Sequence, residues 1–252
     1  MWRAESGASV KDGVHVDFHF HTALGSPGDG GMSSGQIIDM LAYGPLDVVY
    51  ITDHDQIHGA YRELAQHYPG IINLGEEITT IYRGKKVEFI GLNLERRIEP
   101  GKDPFRTGQE IHDQGGLLYV PHPGEEGRKG SNEDLMDELH RQVGIDIVEY
   151  RNGRSRAREP GRRAADWAAR NMVVTAVGSD AHGPKGWGRT YTVLEDYPTP
   201  ENTTELLRHR QPSKDATRSV GAAGYLHPFG NRVGKKFGIK IVQAANMQCS
   251  ET

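Results

Sequence analysis

Short apolar runs alternate with amphipathic stretches along most of the chain, and this repeat constrains the fold more than any other feature. Residues 14–21 alternate strictly between apolar and polar side chains, which is typical of a strand with one polar face. The other predicted strands are short and largely β-branched, as buried parallel strands are; they span 47–51, 71–74, 87–94, 117–120, 145–148 and 173–177. Helical stretches of about three turns lie between them, at 33–42, 57–68, 104–114, 131–143 and 159–171. The repeat predicts an α/β fold, either a barrel or a doubly wound sheet.

Chemically reactive residues help to choose between these two architectures. They follow the carboxyl ends of the predicted strands, at His19, His21, Asp53, His54, Glu77, His122, Glu149, Asp180 and His182. In a barrel those strand ends surround one mouth, so residues far apart in sequence meet at one site. A doubly wound sheet would scatter them more. Their positions therefore favour a barrel.

His19 and His21 lie two residues apart on one strand face, so both imidazoles can reach one metal ion. A His-x-His pair alone is weak evidence, because many such pairs are surface or core histidines. Two further clusters, at 52–55 and 178–182, end other apolar strands and support the same interpretation. Histidine and carboxylate ligands together suit Zn²⁺, Mn²⁺ or Fe²⁺ better than Ca²⁺ or Mg²⁺.

Composition narrows the classes of function. The formal net charge of -4 gives no argument for a nucleic-acid or membrane partner. The single cysteine, Cys249, excludes an intrachain disulfide and a Cys-rich metal site, so any metal must be held by nitrogen and oxygen. The sequence has no signal-like start and no run of about 18 apolar residues. We therefore expect a cytoplasmic protein with no membrane partner.

After Glu195 the periodic pattern weakens. One helix is predicted at 201–209, followed by a stretch rich in Gly, Lys and Arg. We predict a catalytic domain over 1–200 and a C-terminal helix with a basic, partly irregular tail over 201–252. Such a basic segment is usually a solvated surface, although it could contact nucleic acid.

Together these motifs resemble the PHP (polymerase and histidinol phosphatase) superfamily. The matching segments run in family order across residues 14–195, at 17–22, 52–55, 75–79, 122–123, 178–182 and 188–189. The resemblance implies a distorted (β/α)7 barrel of the PHP type, with two or three divalent metal ions, Zn, Mn or Fe, at its mouth. It also implies a metal-dependent phosphoesterase.

The resemblance further implies a ligand set for the first two ions. His19, His21 and Asp180 would hold one ion. Glu77 would bridge that ion to a second, which His122 also binds.

The remaining candidate ligands are less uniform. His54 and His182 would hold a third ion, and Asp29 is a weaker candidate to complete that site. Asp53 is either a ligand or a residue that orients His54. Glu88 stands where the family commonly has a histidine. It either binds the second ion and favours harder metals, or is a surface residue beside a weakened or empty second site.

Three residues are candidates for substrate binding. Arg189 follows the flexible segment 186–188 and could clamp a phosphate bidentately or form a structural salt bridge. Arg151 and Asn152 follow a strand end and have similar standing. The loop 124–130 either covers the site or is an ordinary mobile loop.

We therefore predict hydrolysis of a phosphate ester by a metal-activated hydroxide in a di- or trinuclear site. The expected catalytic residues are His19, His21, Glu77, Asp180 and His182. The expected substrate is a small phosphomonoester or a nucleotide; the alternative is a 5′–3′ exonuclease or phosphodiesterase acting on single-stranded nucleic acid. An amidohydrolase-type barrel normally needs a bridging carboxylated lysine, and no lysine ends a strand here. A non-catalytic metal-binding module is disfavoured by the nearly complete ligand set.

Overall fold

The computed structural model of the chain describes residues 12–236. Its strands are β1 (Val14–Phe20), β2 (Val48–His54), β3 (Ile72–Tyr82), β4 (Lys85–Leu92), β5 (Leu117–Val120), β6 (Ile147–Asn152), β7 (Val174–Gly178), β8 (Thr190–Leu194) and β9 (Ala216–Thr217). Its helices are α1 (Ser34–Tyr43), α2 (Gly59–His67), α3 (Pro104–His112), α4 (Glu133–Gln142), α5 (Glu159–Arg170), α6 (Thr203–His209) and α7 (Gly221–Lys236). No helix in this part of the chain is long and apolar enough to cross a membrane.

The strands form one sheet in the order β7-β6-β5-β4-β3-β2-β1-β8-β9. Two parallel groups, β1-β2-β3 and β5-β6-β7, flank β4, which is antiparallel to both of its neighbours. The chain after β7 returns to the end of β1, where Asp180 N–H donates to His19 O (2.7 Å) and His21 N–H to Ala181 O (3.0 Å). The sheet is therefore a nearly closed barrel. The predicted distorted barrel is confirmed, and its closure brings the first and last reactive strand ends together.

A bulge in β1 decides where its histidines point. Strict alternation predicts that Phe18 and Phe20 share a face. Instead, the pairing of β1 with β2 shifts register between Asp17 and Phe20. Phe18 packs in one apolar cluster with Tyr50, and Phe20 packs in a different cluster. A bulge re-aims the side chains that follow it, so the simple alternation is wrong at the point where His19 and His21 leave the strand.

Side-chain caps begin several helices where the sequence predicts them to begin. Ser33 forms a capping box with Gln36 at the start of α1, as expected from the Ser33-Ser34 pair. Asp103 caps α3 by accepting from two backbone N–H groups, and Asn132 caps α4. Each such cap stabilises its helix by about 1 kcal/mol. The bounds of α1 to α6 agree with the predicted helices to within a few residues.

Three elements escaped the sequence analysis, namely β8, β9 and α7. The tail after the predicted helix was expected to be partly irregular; its described part contains the helix Gly221–Lys236, which was not predicted. Several glycines and Pro228 give α7 a low helix propensity, so its helical pattern is hard to see in the sequence. The rest of the expected tail, residues 237–252, lies outside the described residues. The division into two parts near residue 200 stays a prediction.

Candidate metal centre

The end of β1 and the middle of β3 meet the segment after β7 in a first group of four buried candidate ligands. His19 Nε2 and His21 Nε2 are 3.1 Å apart, and Asp180 Oδ1 lies 3.9 and 3.6 Å from them. Glu77 adds Oε1 at 3.5 Å from His19 Nε2 and Oε2 at 3.3 Å from His21 Nε2. A tetrahedral zinc ion with bonds of about 2.1 Å holds its ligand atoms about 3.4 Å apart. The four side chains therefore already have the spacing of a metal site.

Glu77 is shared with a second group. His122 Nε2 lies 3.1 Å from Glu77 Oε1 and 4.0 Å from Glu88 Oε2. His54 Nδ1 lies 3.0 Å from Glu77 Oε2 and 3.9 Å from Glu88 Oε1. Glu88 is only 3% exposed, so its interpretation as a surface residue is wrong. The Glu88 carboxylate also forms an ion pair with Lys129, and this pair partly neutralises the negative charge that would attract a metal ion.

A third group forms beside the first around His54, His182 and Asp29. Asp29 Oδ1 lies 3.8 Å from Nε2 of both histidines. The His21 ring stacks on that of His54 and lies against that of His182, with ring centroids 4.3 and 4.2 Å away. The structure thus brings Asp29, the weaker candidate, beside His54 and His182, the two ligands that it was expected to join.

The hydrogen-bond partners of two histidines leave the other ring nitrogen of each facing the candidate metal centre. The His182 Nδ1–H donates to Asp180 O at 2.9 Å, which leaves a lone pair on Nε2. That buried Nε2 has no hydrogen-bond partner within the described part of the chain. Likewise, His19 Nδ1 donates to Glu149 Oε1 at 3.1 Å, so Nε2 is the nitrogen that faces His21 Nε2 and would give up its proton to a metal ion. A cation in each of the two groups would bind one of these nitrogens.

The charges of the site favour cations. Burial alone would raise the pKa of Asp180, but Arg128, Arg154 and His19 outweigh it and hold that pKa well below its ordinary value. Burial would likewise raise the pKa of Glu77, yet His19 and His54 bring it well below the usual range. Both carboxylates are therefore ionised at neutral pH and are ready to bind metal.

Glu149, which the sequence analysis placed at a strand end without a role, organises the site from behind. Its Oε1 accepts from His19 Nδ1 at 3.1 Å and from Tyr119 Oη at 3.0 Å. Its Oε2 accepts from His122 N–H at 2.6 Å and from Asn152 Nδ2 at 2.9 Å. Such a carboxylate fixes the tautomer and the orientation of a metal-binding histidine.

Asp53 lies outside every group of possible metal ligands among the described residues. Its Oδ1 accepts from Thr22 N–H at 2.7 Å and from Ser26 Oγ at 2.8 Å, and its Oδ2 accepts from Thr22 Oγ1 at 2.6 Å. Ser26 Oγ in turn accepts from His54 N–H at 3.2 Å. Of the two predicted roles for Asp53, the geometry therefore matches the orienting one.

Members of all three groups form the floor of a cavity of about 260 Å³ with a cationic rim, whereas His19 and His21 are fully buried and do not line it. The rim consists of Arg128, Lys129, Arg154 and Arg232. Arg128 and Arg154 also contact the Asp180 carboxylate. The loop 124–130 therefore reaches the cavity, as one of its two interpretations expected. The other two rim cations were missed, because one follows a strand end by two residues and the other lies in the unrecognised helix α7.

The predicted substrate-binding residues are placed differently. Among the described residues, the cavity lining includes neither Arg189 nor Arg151. Arg189 Nε donates to Ser219 O at 2.7 Å, and Arg151 Nη1 donates to Ala157 O at 3.4 Å, so both serve loop structure. Asn152 is buried behind the floor and donates to Asp180 Oδ2 at 3.2 Å. It supports the site and does not face the cavity.

Comparison with known proteins begins with two uncharacterised proteins of Methanocaldococcus jannaschii. The first is 34% identical over 110 residues, which is 43% of this chain but only 45% of that relative. The second is 31% identical over 120 residues, 44% of this chain and 68% of the relative. The chain belongs to the same family as this second protein. No protein-family model matches the chain.

Solved structures identify the fold. A two-domain protein from Bacteroides vulgatus, which contains a predicted PHP-like metal-dependent phosphoesterase, superposes with a TM-score of 0.63 at 19% identity over 82% of this chain and 67% of its own. The chain has the PHP fold. A putative metal-dependent phosphoesterase from Bifidobacterium adolescentis superposes with a TM-score of 0.56 at 16% sequence identity, over 78% of this PHP-fold chain and 96% of its own. An amidohydrolase from Chromobacterium violaceum with bound sulfate superposes with a TM-score of 0.57 at 19% sequence identity, over 79% of this chain and 98% of its own. The predicted PHP assignment is confirmed at the level of the fold.

Proposed function

We propose that this protein is a metal-dependent phosphoesterase that hydrolyses a small phosphomonoester, with nucleotides among the possible substrates. One observation carries the proposal: a floor of histidines and carboxylates lies in the same cavity as a rim of four cationic side chains. A phosphate monoester carries a charge of about -1.5 to -2 at neutral pH. Ions on the floor and cations on the rim would both neutralise that charge.

The chain's own residues have distinct tasks in this reaction. Divalent ions would polarise the phosphoryl oxygens and lower the pKa of an attacking water. Glu149 holds His19 in the tautomer that leaves Nε2 free for an ion. Arg128 and Arg154 line the cavity and contact Asp180 on its floor. Each guanidinium group can donate two parallel hydrogen bonds to the oxygens of a phosphoryl group. Arg232, held by Asp29 at 2.9 Å, adds positive charge on the opposite side.

The cationic rim favours phosphate over an amide substrate. A neutral amide gains little from four surrounding cations, whereas a phosphoryl group is stabilised by each of them. Lys129 is the lysine that lines the cavity, but it lies in a loop after the turn Glu126–Arg128 and pairs with Glu88. It therefore does not occupy the strand-end position of a bridging lysine.

The C-terminal basic segment gives little support to the exonuclease alternative. Several of its cations have ion-pair partners within the chain, namely Arg208, Arg210 and Lys214. Arg210 is buried and bonds to Asp215, Leu207 O and Thr175. A side chain that is already paired within the protein neutralises polynucleotide phosphates less effectively. It therefore displaces fewer of their counterions and contributes less to binding.

The proposal is tested with the purified protein, its metal content and a panel of phosphate monoesters and diesters assayed with added Mn²⁺ or Zn²⁺. We expect a bound transition metal, turnover of monoesters above diesters, and a loss of about 10²-fold or more in kcat/KM for His19→Ala. His209→Ala is the control, because His209 is exposed and pairs only locally with Glu205. A metal-free protein whose phosphatase rate survives His19→Ala would refute the proposal, and faster turnover of polynucleotides would favour the exonuclease.

A further inference from the structure

A second cavity, of about 350 Å³, opens on the first turns of α7. Its lining consists of Arg154, Arg156, Ser219, Gly221, Ala222 and Leu226. Leu226 is 58% exposed and is the largest apolar side chain of this lining. Such a side chain can pack against an apolar part of a bound molecule.

This cavity adjoins the candidate metal centre through two shared features. Arg154 lines both cavities, and its guanidinium lies 3.3 Å from Asp180 Oδ1 on the floor of the first. Helix α7 also borders both, with Arg232 at the first cavity and Leu226 at the second. A molecule whose phosphate lies over the metal centre could therefore extend past Arg154 into the second cavity.

Helix α7 is fixed to the centre by a buried residue. Asn231 Nδ2 donates to Asp29 O at 2.6 Å and to His182 O at 3.2 Å, which are the backbone carbonyls of two candidate ligands. Asn231 itself is only 6% exposed. The distance between Leu226 and the metal centre is therefore set by the fold, as a subsite for one part of a substrate requires.

We propose that this second cavity binds the aromatic leaving group of the phosphate ester, so that the substrate is an aryl or heteroaryl phosphate. The inference rests on the proposed function for the position of the phosphate. Leu226 and Ala222 supply an apolar wall, and two guanidinium groups line the same cavity. A guanidinium plane stacks on aromatic rings, so the combination selects a flat aromatic group over an aliphatic one.

The test measures binding, so its result does not depend on whether the protein hydrolyses a substrate. Phenylphosphonate and methylphosphonate carry the same anionic group and differ in the ring, and neither is a phosphate ester that can be hydrolysed. Their Kd values are measured by calorimetry on the metal-loaded protein and on Leu226→Ser. We expect the wild type to bind phenylphosphonate about tenfold more tightly than methylphosphonate, and Leu226→Ser to lose most of that ratio.

Phe229→Ser is the matched control. Phe229 is 68% exposed on the same helix and is absent from the described linings of both cavities. We expect it to keep the wild-type ratio. Equal Kd values for the two phosphonates in the wild type, or an equal loss of the ratio in both variants, would overturn the subsite alone. Binding of neither phosphonate would overturn it together with the anion site of the proposed function.

Discussion

Glu149→Gln should weaken metal binding without unfolding the barrel. The Glu149 carboxylate accepts four hydrogen bonds, two on each oxygen, from His19 and Tyr119 and from His122 N–H and Asn152. An amide of the same shape retains one accepting oxygen and presents an NH2 group to the other two donors. Each buried donor that loses its acceptor costs about 1–3 kcal/mol. If the NH2 group faces His19, Nδ1 must become an acceptor, and the proton moves to the Nε2 that would bind an ion.

The magnitude follows from the role of such carboxylates. Loss of the group that orients a metal-binding histidine typically costs about 10–100-fold in metal affinity. The assay is a competition titration of Zn²⁺ or Mn²⁺ against a chelator of known affinity, together with thermal unfolding of both proteins.

The matched control is Glu76→Gln. Glu76 is equally buried and adjacent in β3 to Glu77, but it is turned away from the site and accepts from Ile98 N–H at 2.7 Å. Burial raises the pKa of Glu76 to about 8, so the native side chain is already a neutral acid at neutral pH. We expect its metal affinity to match the wild type. The reasoning is refuted if Glu149→Gln retains wild-type metal affinity, or if Glu76→Gln loses as much.

Three further predictions concern stability. Chelation should lower Tm, and returning metal at about 100 times its Kd should restore about 2.7 kcal/mol of stability; an unchanged Tm would contradict a preformed metal site. The hydrogen bond and ion pair with Asp146 raise the pKa of His112, so this stabilisation is complete below about pH 6.5 and disappears as pH rises through the folded value. Urea midpoints of the wild type and His112→Gln should therefore converge as pH rises, and a constant difference would refute this. Trp167→Ala should cost about 3–5 kcal/mol, because Trp167 is 1% exposed and donates to Asp137 at 2.7 Å; a urea midpoint close to that of the wild type would contradict its place in the core.

Much of the candidate site could be read from the sequence because its residues follow strands. A strand that ends at a barrel mouth places its next residues there regardless of the distance along the chain. His19, His21 and Asp180 meet for this reason, and the resemblance to the PHP superfamily implied that they form one group. Asp53 follows the same rule, yet its carboxylate turns to Thr22 and Ser26, because a side-chain direction depends on its neighbours.

The cationic rim could not be read in this way. The sequence made Arg189 a reasonable candidate, but its side chain donates a hydrogen bond to Ser219 O and does not line the cavity. Arg154 and Arg232 reach the cavity from a loop and from a helix with weak propensity. Hydrophobic periodicity does not predict where the charged end of a long side chain lies when its residue belongs to such a segment.

The sequence by itself determined the α/β barrel, the order of its first strands and most of the residues around its mouth. Hydrophobic periodicity and strand-end chemistry are local properties, and the sequence therefore records them directly. Only the tertiary structure decided the direction of the β1 histidines beyond the bulge, the packing of α7 against the site and the identity of the cations over the cavity. Each of these depends on contacts between residues distant in sequence, such as Asn231 with Asp29 and Arg154 with Asp180.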